Sequence, residues 1–128
     1  MIVDTSAVVA ILFREAGHDA LLTTLAGARH PGIGAPTLVE TGIVVSSRLK
    51  VDARGLLARF LAESAVVVVP FGEAHTSAAI DAWLRFGKGR HPAALNLGDC
   101  NSYAVAKVAG EPLLYVGDDF AKTDIDTA

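Results

Sequence analysis

Five acidic residues stand at the ends of apolar segments or inside an apolar stretch: Asp4, Glu40, Asp99, Asp118 and Asp119. Carboxylates that converge repel one another, and their pKa values rise unless a cation lies between them. Hard oxygen ligands without a cysteine or histidine cluster favour Mg²⁺ or Mn²⁺ over zinc. A divalent cation held in this way activates water and neutralises phosphate oxygens. The acids therefore indicate a candidate metal site.

Each of these acids also has an ordinary structural interpretation, and the residues alone leave both open. Asp4 follows the apolar start "MIV" and can cap the helix that comes next. Glu40 interrupts the apolar helix "LVETGIVV", where it either extends to solvent or is drawn inward by a partner. Asp99 opens a late helix and gains from its N-terminal dipole. Asp118 and Asp119 follow the last apolar run, where an exposed turn would explain them.

The elements that would position these acids alternate between strands and helices. Short strands are predicted at "MIVD", "PGIGAP", "AVVVVPF" and "PLLYVG", with helical spacing between them. This alternation predicts an α/β sandwich with a mainly parallel sheet, and the valine run is typical of a strand covered on both faces. In such sheets ligands bind beyond the carboxyl ends of the strands. The acids after the first and last strands are expected at that edge.

Length and composition limit the class of protein. The chain has 128 residues, 52% of them hydrophobic, which predicts one domain over residues 1–128. The chain has no run of about 18 apolar residues, so no membrane span is predicted. The single cysteine, Cys100, excludes an internal disulfide and favours a reducing compartment, with the cytoplasm as the default. A net charge of −3 argues against nucleic-acid binding by positive field alone, but a bound cation would remove that objection.

A basic, glycine-containing segment, "KGRHPAALN", precedes Asp99. Its Lys88, Arg90 and His91 are candidates for binding a nucleic-acid backbone, and an exposed connection with ordinary solvated charges is the alternative. Trp83 lies just before this segment and could stack on a base, but its helical spacing predicts packing in the core.

Four segments resemble the PIN-domain ribonucleases, and within them the VapC-type toxins of bacterial toxin–antitoxin pairs. These segments, spread over nearly the whole chain, are "MIVDTSAVVAIL", "TLVETGIVV", "GKGRHPAALNLGDCNSYAVAK" and "EPLLYVGDDFAKTDI". The resemblance implies a three-layer α/β/α domain that cuts RNA with Mg²⁺, or with Mn²⁺. It also implies a homodimer that a cognate VapB-type antitoxin holds inactive. The acidic site of the family carries over to Asp4, Glu40 and Asp99.

The fourth acid of the family pattern does not fall on one residue of this chain. Many members end in Thr-x-Asp-x-Asp-Phe, and a gapless match places Tyr115 at the threonine and Gly117 at the first aspartate. The match holds at Asp119 and Phe120. We nevertheless expect Asp118 to serve the metal through a small shift in the turn, with Asp119 as the alternative that the pattern itself chooses.

The roles of the other residues follow from the expected chemistry. Asp4 and Asp99 are expected to bind the metal directly, while Glu40 and the Asp118/Asp119 pair bind a second metal, bind through water or orient the attacking water. Ser6 and Asn101 are candidates for donating hydrogen bonds to the ligands, although both also fit the start of a helix as caps.

Two other interpretations compete with a ribonuclease toxin. A haloacid-dehalogenase-like phosphatase also begins with an aspartate after its first strand and has a Gly-Asp-Asp near its last strand. That chemistry requires a second acid two residues after the first aspartate, and at that position this chain has Ser6. The third interpretation is a catalytically silent PIN-like module that only binds a partner.

Overall fold

The computed structural model describes residues 1–128, and four short strands and six helices alternate along them. In chain order these are β1 Ile2–Val3, α1 Thr5–Leu12, α2 His18–Ala26, β2 Gly32–Gly34, α3 Ala35–Leu49, α4 Arg54–Glu63, β3 Val67–Val69, α5 Glu73–Phe86, α6 Leu97–Ala109 and β4 Leu113–Leu114, followed by a 3₁₀ turn at Phe120–Lys122. None of the helices has both the length and the apolar character needed to span a bilayer.

The strands form one parallel sheet in the order β3-β2-β1-β4. The two ends of the chain thus meet in the sheet, with Ile2 opposite Leu113 and Val3 opposite Leu114. The backbone N–H of Asp4 donates to the carbonyl of Leu114 at 2.9 Å. The residues that follow β1 and β4 therefore lie side by side at the carboxyl edge, as the sequence predicts.

Successive residues of β1 point to opposite faces of the sheet and enter two different hydrophobic clusters. Ile2 packs in a cluster with Phe86 of α5 and Tyr103 of α6. Val3 packs in another with Val8 of α1, together with side chains of α2 and α4. Helices therefore cover the sheet on both faces, which confirms the expected three-layer α/β/α architecture.

The valine run does not form a strand that is covered on both faces, and that expectation is wrong. β3 is the edge strand of the sheet, and Val67 and Val68 are 60% and 45% exposed. A run of β-branched residues favours an extended strand. It does not specify whether that strand lies at the centre or at the edge of the sheet.

The C-terminal tail returns to the layer formed by α5 and α6 and is held there by Asp124. Its carboxylate accepts hydrogen bonds from Tyr103 Oη at 2.6 Å, Lys107 Nζ at 3.0 Å and Arg85 Nη2 at 3.2 Å. Burial alone would raise the pKa of Asp124, but these three donors lower it to about 2. The segment after β4 is thus fixed at both of its ends, by the sheet and by this carboxylate.

Candidate active site

Asp4 is both a helix cap and a buried, oriented carboxylate. It is the N-cap of α1 and only 5% exposed. Its Oδ2 accepts from the backbone N–H of Ser6 at 3.0 Å and from Ser6 Oγ at 2.6 Å, and its Oδ1 accepts from Ser102 Oγ at 2.6 Å. Capping explains only one of these bonds, since the two hydroxyl donors fix the carboxylate as well. The cap of α1 is thus Asp4, and Ser6 contacts it through its side chain.

Ser6 also ties the end of the last strand to this position. While its hydroxyl donates to Asp4, the same oxygen accepts the backbone N–H of Val116 at 3.0 Å. The turn that follows contains Gly117 at a φ of +103°, a conformation that favours glycine. Ser6 therefore positions the turn that carries Asp118 and Asp119.

Glu40 is drawn inward rather than extended into solvent. Its Oε1 accepts the hydroxyl proton of Thr5 at 2.7 Å, and the side chain is half-buried. Its carboxylate lies directly against Gly98 of α6, where a methyl group on the glycine would overlap it. The absence of a side chain at Gly98 therefore gives Glu40 its place beside Asp99.

Asp99 is in the first turn of α6 and forms a capping box with Asn96. Its backbone N–H donates to Asn96 Oδ1 at 2.8 Å, and its Oδ2 accepts the backbone N–H of Asn96 at 3.1 Å. Burial raises the pKa of Asp99 to about 6, although the hydrogen bond from the backbone N–H of Asn96 lowers it. The negative charges of Asp4, Asp119 and Glu40 raise it further. These four carboxylates, which come from four parts of the chain, thus lie near one another and form what we call the carboxylate region: Asp4, Glu40, Asp99 and Asp119.

The two adjacent aspartates after β4 differ in their relation to this region. Both side chains are exposed, but Asp119 is the member whose charge raises the pKa of Asp99. Asp119 is also followed by the buried Phe120, which anchors the turn. These observations support Asp119, the residue that the family pattern selects, while the choice between it and Asp118, the one preferred from the sequence, stays a prediction.

A group of buried hydroxyls connects the carboxylates, and sequence reasoning missed most of it. Because the proton of Ser102 is donated to Asp4, Thr37 Oγ1 is the donor in its 3.1 Å contact with Ser102. Ser102, Thr37 and Thr5 are all buried. The signal available in the sequence was spacing, since Ser102 lies three residues after Asp99 and so shares a helix face with it.

Asn101 is on the same stretch of helix but does not contact a carboxylate through a hydrogen bond. It lines a cleft of about 420 Å³ together with Glu40 and Asn96. Its predicted role as a donor to a ligand therefore stays a prediction.

The donor set fits a hard divalent cation in its chemistry. All the candidate ligands are carboxylates, and none of the five forms an ion pair with a lysine or arginine. No three of them are close enough in this conformation to enclose an ion. The arrangement is therefore a region of uncompensated negative charge rather than a closed ligand cage.

The basic loop between α5 and α6 is closed at its base by a bridge between Gly87 and Leu95. Lys88 and Arg90 are exposed and form no ion pair, although Arg90 Nε donates to the backbone carbonyl of Leu84 at 3.1 Å. The guanidinium of Arg90 lies 4.9 Å from the centre of the Trp83 ring. Trp83 itself is 43% exposed, so the expectation that it packs in the core is wrong.

The contacts of His91 and the environment of Cys100 indicate structural roles for both residues. The Nδ1 atom of His91 accepts the backbone N–H of Ala93 at 3.0 Å, and its ring packs edge-on against Phe86. These contacts fix the loop, while the predicted contact of His91 with a nucleic acid stays a prediction. Burial and the charge of Asp99 raise the pKa of the Cys100 thiol to about 11, which makes it a poor nucleophile.

Comparisons with known proteins agree with this fold. A family model described as PIN domain matches residues 1–126. Ribonuclease VapC36 of Mycobacterium tuberculosis is 47% identical over 127 residues, which cover 98% of this chain and 91% of the relative. The crystal structure of M. tuberculosis VapC20, described as a sarcin-ricin loop cleaving toxin, superposes with a TM-score of 0.77 at 21% identity and covers 99% of this chain and 97% of that one. A toxin–antitoxin complex from Klebsiella pneumoniae gives a TM-score of 0.69 at 18% identity, with coverages of 96% and 92%.

Proposed function

The chain belongs to the PIN-domain family, and from this premise we propose that it is the endoribonuclease toxin of a type II toxin–antitoxin pair. The observation that carries the proposal is the convergence of Asp4, Glu40, Asp99 and Asp119 at the carboxyl edge of a parallel sheet without a compensating cationic side chain. The near-full-length similarity to a protein named as a VapC ribonuclease supports it. Residues 1–128 would then form a single nuclease domain.

We assign Mg²⁺, with Mn²⁺ as an alternative, to this group of carboxylates. Asp4 and Asp99 would bind the cation directly, while Glu40 and one member of the Asp118/Asp119 pair complete the site. When bound, such a cation supplies positive charge for the phosphate and lowers the pKa of its water. The electrostatic relation of Asp119 to Asp99 supports Asp119 as the fourth acid.

The residues of the chain itself provide orientation. Ser6 and Ser102 hold the two oxygens of Asp4, and Thr5 holds Glu40 against Gly98. Fixed carboxylates of this kind need little reorganisation when a cation and a phosphate arrive. Lys88 and Arg90 carry unpaired positive charge on the neighbouring loop, where the RNA backbone would be attracted.

A protein partner is supported by apolar surface on α3 and α4. Val39 and Ile43 are well exposed on α3, and with Val51 they line a groove of about 770 Å³ between these helices. Exposed apolar patches of this kind mark interaction surfaces. We propose a VapB-type antitoxin and a second copy of the chain as partners. The compartment would be the cytoplasm, where the RNA substrate is found and where Cys100 stays reduced.

The test is cleavage of RNA by purified protein free of antitoxin. We expect cleavage with Mg²⁺ or Mn²⁺, none with a chelator, and none by Asp4→Asn. Because asparagine is as good an N-cap as aspartate, this variant should keep α1 and the fold. If Asp4→Asn and Asp99→Asn each cleaved RNA at the wild-type rate, the site would be refuted. The chain would then be a catalytically silent module, and the cleavage would come from another protein in the preparation. Release of phosphate from small phosphoesters without RNA cleavage would favour the phosphatase.

A further inference from the structure

A second cleft adjoins the carboxylate region and is not explained by it. This cleft of about 420 Å³ lies between α5 and the start of α6 and is lined mainly by Ile80, Trp83, Lys88, Asn96 and Leu97. Its walls are largely apolar although they face solvent, and Leu97 is 78% exposed. A surface of this kind is costly to leave uncovered, which indicates a ligand.

The cleft is continuous with the carboxylate region through two residues, Asn96 and Leu97. Asn96 lines it and also lines the cleft that holds Glu40. The same residue exchanges two hydrogen bonds with Asp99 through its Oδ1 and its backbone N–H. Its Nδ2 makes no hydrogen bond within the chain and remains available as a donor to a ligand. A group bound in the cleft would therefore lie next to the scissile position.

The indole of Trp83 is held in place as one wall of this cleft. It packs against the backbone of Gly87 so closely that a methyl group there would overlap the ring. The guanidinium of Arg90 lies over the ring, but Arg90 is not among the residues that line the cleft. One side of the indole thus faces the cleft, while the guanidinium of Arg90 contacts another side of the ring.

The charge and the lining residues of the cleft fit a nucleotide. Lys88 lies at its border and forms no ion pair in a chain whose net charge is −3. An aromatic ring beside a free cation binds single-stranded nucleic acid through base stacking and phosphate contact.

We propose that this cleft binds an unpaired base of the RNA next to the scissile phosphate, with Trp83 stacking on the base. Lys88 contacts the adjoining phosphate and Asn96 Nδ2 donates to the nucleotide. This inference rests on the proposed function because it takes RNA as the substrate.

The chain offers a direct probe, since Trp83 is its only tryptophan. Asp4→Asn protein, which should not cut RNA, is titrated in the presence of Mg²⁺ with short single-stranded oligoadenylate and oligouridylate. We expect the Trp83 emission to be quenched with the same saturation curve as the anisotropy of labelled RNA. A ribose-phosphate oligomer that lacks bases should bind more weakly and leave the emission unchanged. Equal quenching by the abasic oligomer would overturn the proposal.

Replacing the indole gives a second test. Trp83→Ala should weaken RNA binding about tenfold, since stacking contributes about 1–3 kcal/mol per base, and Trp83→Phe should restore most of it. The control is Leu84→Ala, which removes an exposed apolar side chain of the same helix that does not line the cleft. The same loss in Leu84→Ala, or none in Trp83→Ala, would overturn the proposal.

Failure of the subsite and failure of the nuclease are distinguishable. If wild-type protein cuts RNA and Trp83→Ala cuts it with the same KM, the subsite is refuted and the nuclease stands. If wild-type protein cuts no RNA but oligomers still quench Trp83 in a base-dependent way, the nuclease fails and the binding site stands. A change in Trp83 emission with protein concentration or with antitoxin, but not with RNA, would assign the cleft to a protein and refute the inference.

Discussion

Ser102 Oγ donates a 2.6 Å hydrogen bond to Asp4 Oδ1, although the two residues are 98 positions apart. Ser102 follows Asp99 by three residues on α6, so one face of this helix provides both a carboxylate and the donor that fixes another. The hydrogen bond joins the helix layer to the end of β1. The orientation of Asp4 therefore depends on how α6 is seated on the sheet.

Replacing this donor should impair the site more than the fold. Ser102→Ala leaves Asp4 Oδ1 without its donor, and we expect Mg²⁺ affinity or cleavage rate to fall about 10- to 100-fold. Calorimetric titration with Mg²⁺ and cleavage rates over a range of Mg²⁺ concentrations would measure it. Ser47→Ala, an exposed serine of α3 without a side-chain hydrogen bond, is the control and should behave as wild type. Unchanged Mg²⁺ dependence in Ser102→Ala would show that Asp4 needs no such support.

Gly98→Ala should separate activity from stability. The added methyl group would overlap the carboxylate of Glu40, which can move away because it is the end of a flexible side chain. We expect cleavage to fall about tenfold or more, while the free energy of unfolding changes by less than about 1 kcal/mol because helical alanine is intrinsically favoured over glycine.

The control for this change is Gly55→Ala. Gly55 is the second residue of α4, as Gly98 is of α6, and nothing lies within 4 Å of a methyl group there. Normal cleavage by Gly98→Ala would mean that the position of Glu40 does not matter for the reaction.

The two adjacent aspartates provide their own matched comparison. Because the charge of Asp119 acts on Asp99, we expect Asp119→Asn to reduce Mg²⁺-dependent cleavage strongly and Asp118→Asn to reduce it by less than about threefold. Both substitutions remove one charge from the same exposed turn, so a general electrostatic effect on RNA binding would be equal in the two. The reverse order of activities would return the role to Asp118.

The metal-free protein should lose stability as Asp99 ionises. Its pKa is raised above the unfolded value of 3.8 to about 6, so its protonated form favours the folded state. The stabilisation of the folded state by protonated Asp99 is fully present below about pH 4 and is lost as the pH rises through 6. At pH 7 in chelator, Asp99→Asn should therefore be more stable than wild type, by about 1 kcal/mol once the partial exposure of the group is discounted.

Chemical denaturation at pH 4 and pH 7 would measure this difference. Asp126→Asn, an exposed acid without an ion pair, is the control and should not change the pH dependence. If Asp99→Asn is less stable than wild type at pH 7 in chelator, burial of the ionised Asp99 beside the other carboxylates does not oppose folding.

What the sequence predicts well is local. The end of β1 at Asp4 and the start of a helix near Asp99 follow from a short apolar run and from capping residues, and both are present in the structure. Their proximity follows from the parallel sheet, because the residues after β1 and β4 must share one edge.

What the sequence does not predict depends on contacts between distant residues. The fit of Glu40 against Gly98 and the bond from Ser102 to Asp4 each join separate elements, and no local pattern encodes them. Trp83 illustrates the limit of periodicity. Ala82 and Phe86 face the core four residues apart, and Trp83 is about 100° further round the helix, which places it at the border of the buried face.

The pairing of the first strand with the last has a consequence during protein synthesis. β1 can complete its place in the sheet only after Leu113 and Leu114 have been made, and Asp119 comes later still. A growing chain on the ribosome therefore carries Asp4, Glu40 and Asp99 without the turn that completes the group. We expect a chain that still lacks this turn to be inactive, even when its first three carboxylates are already present.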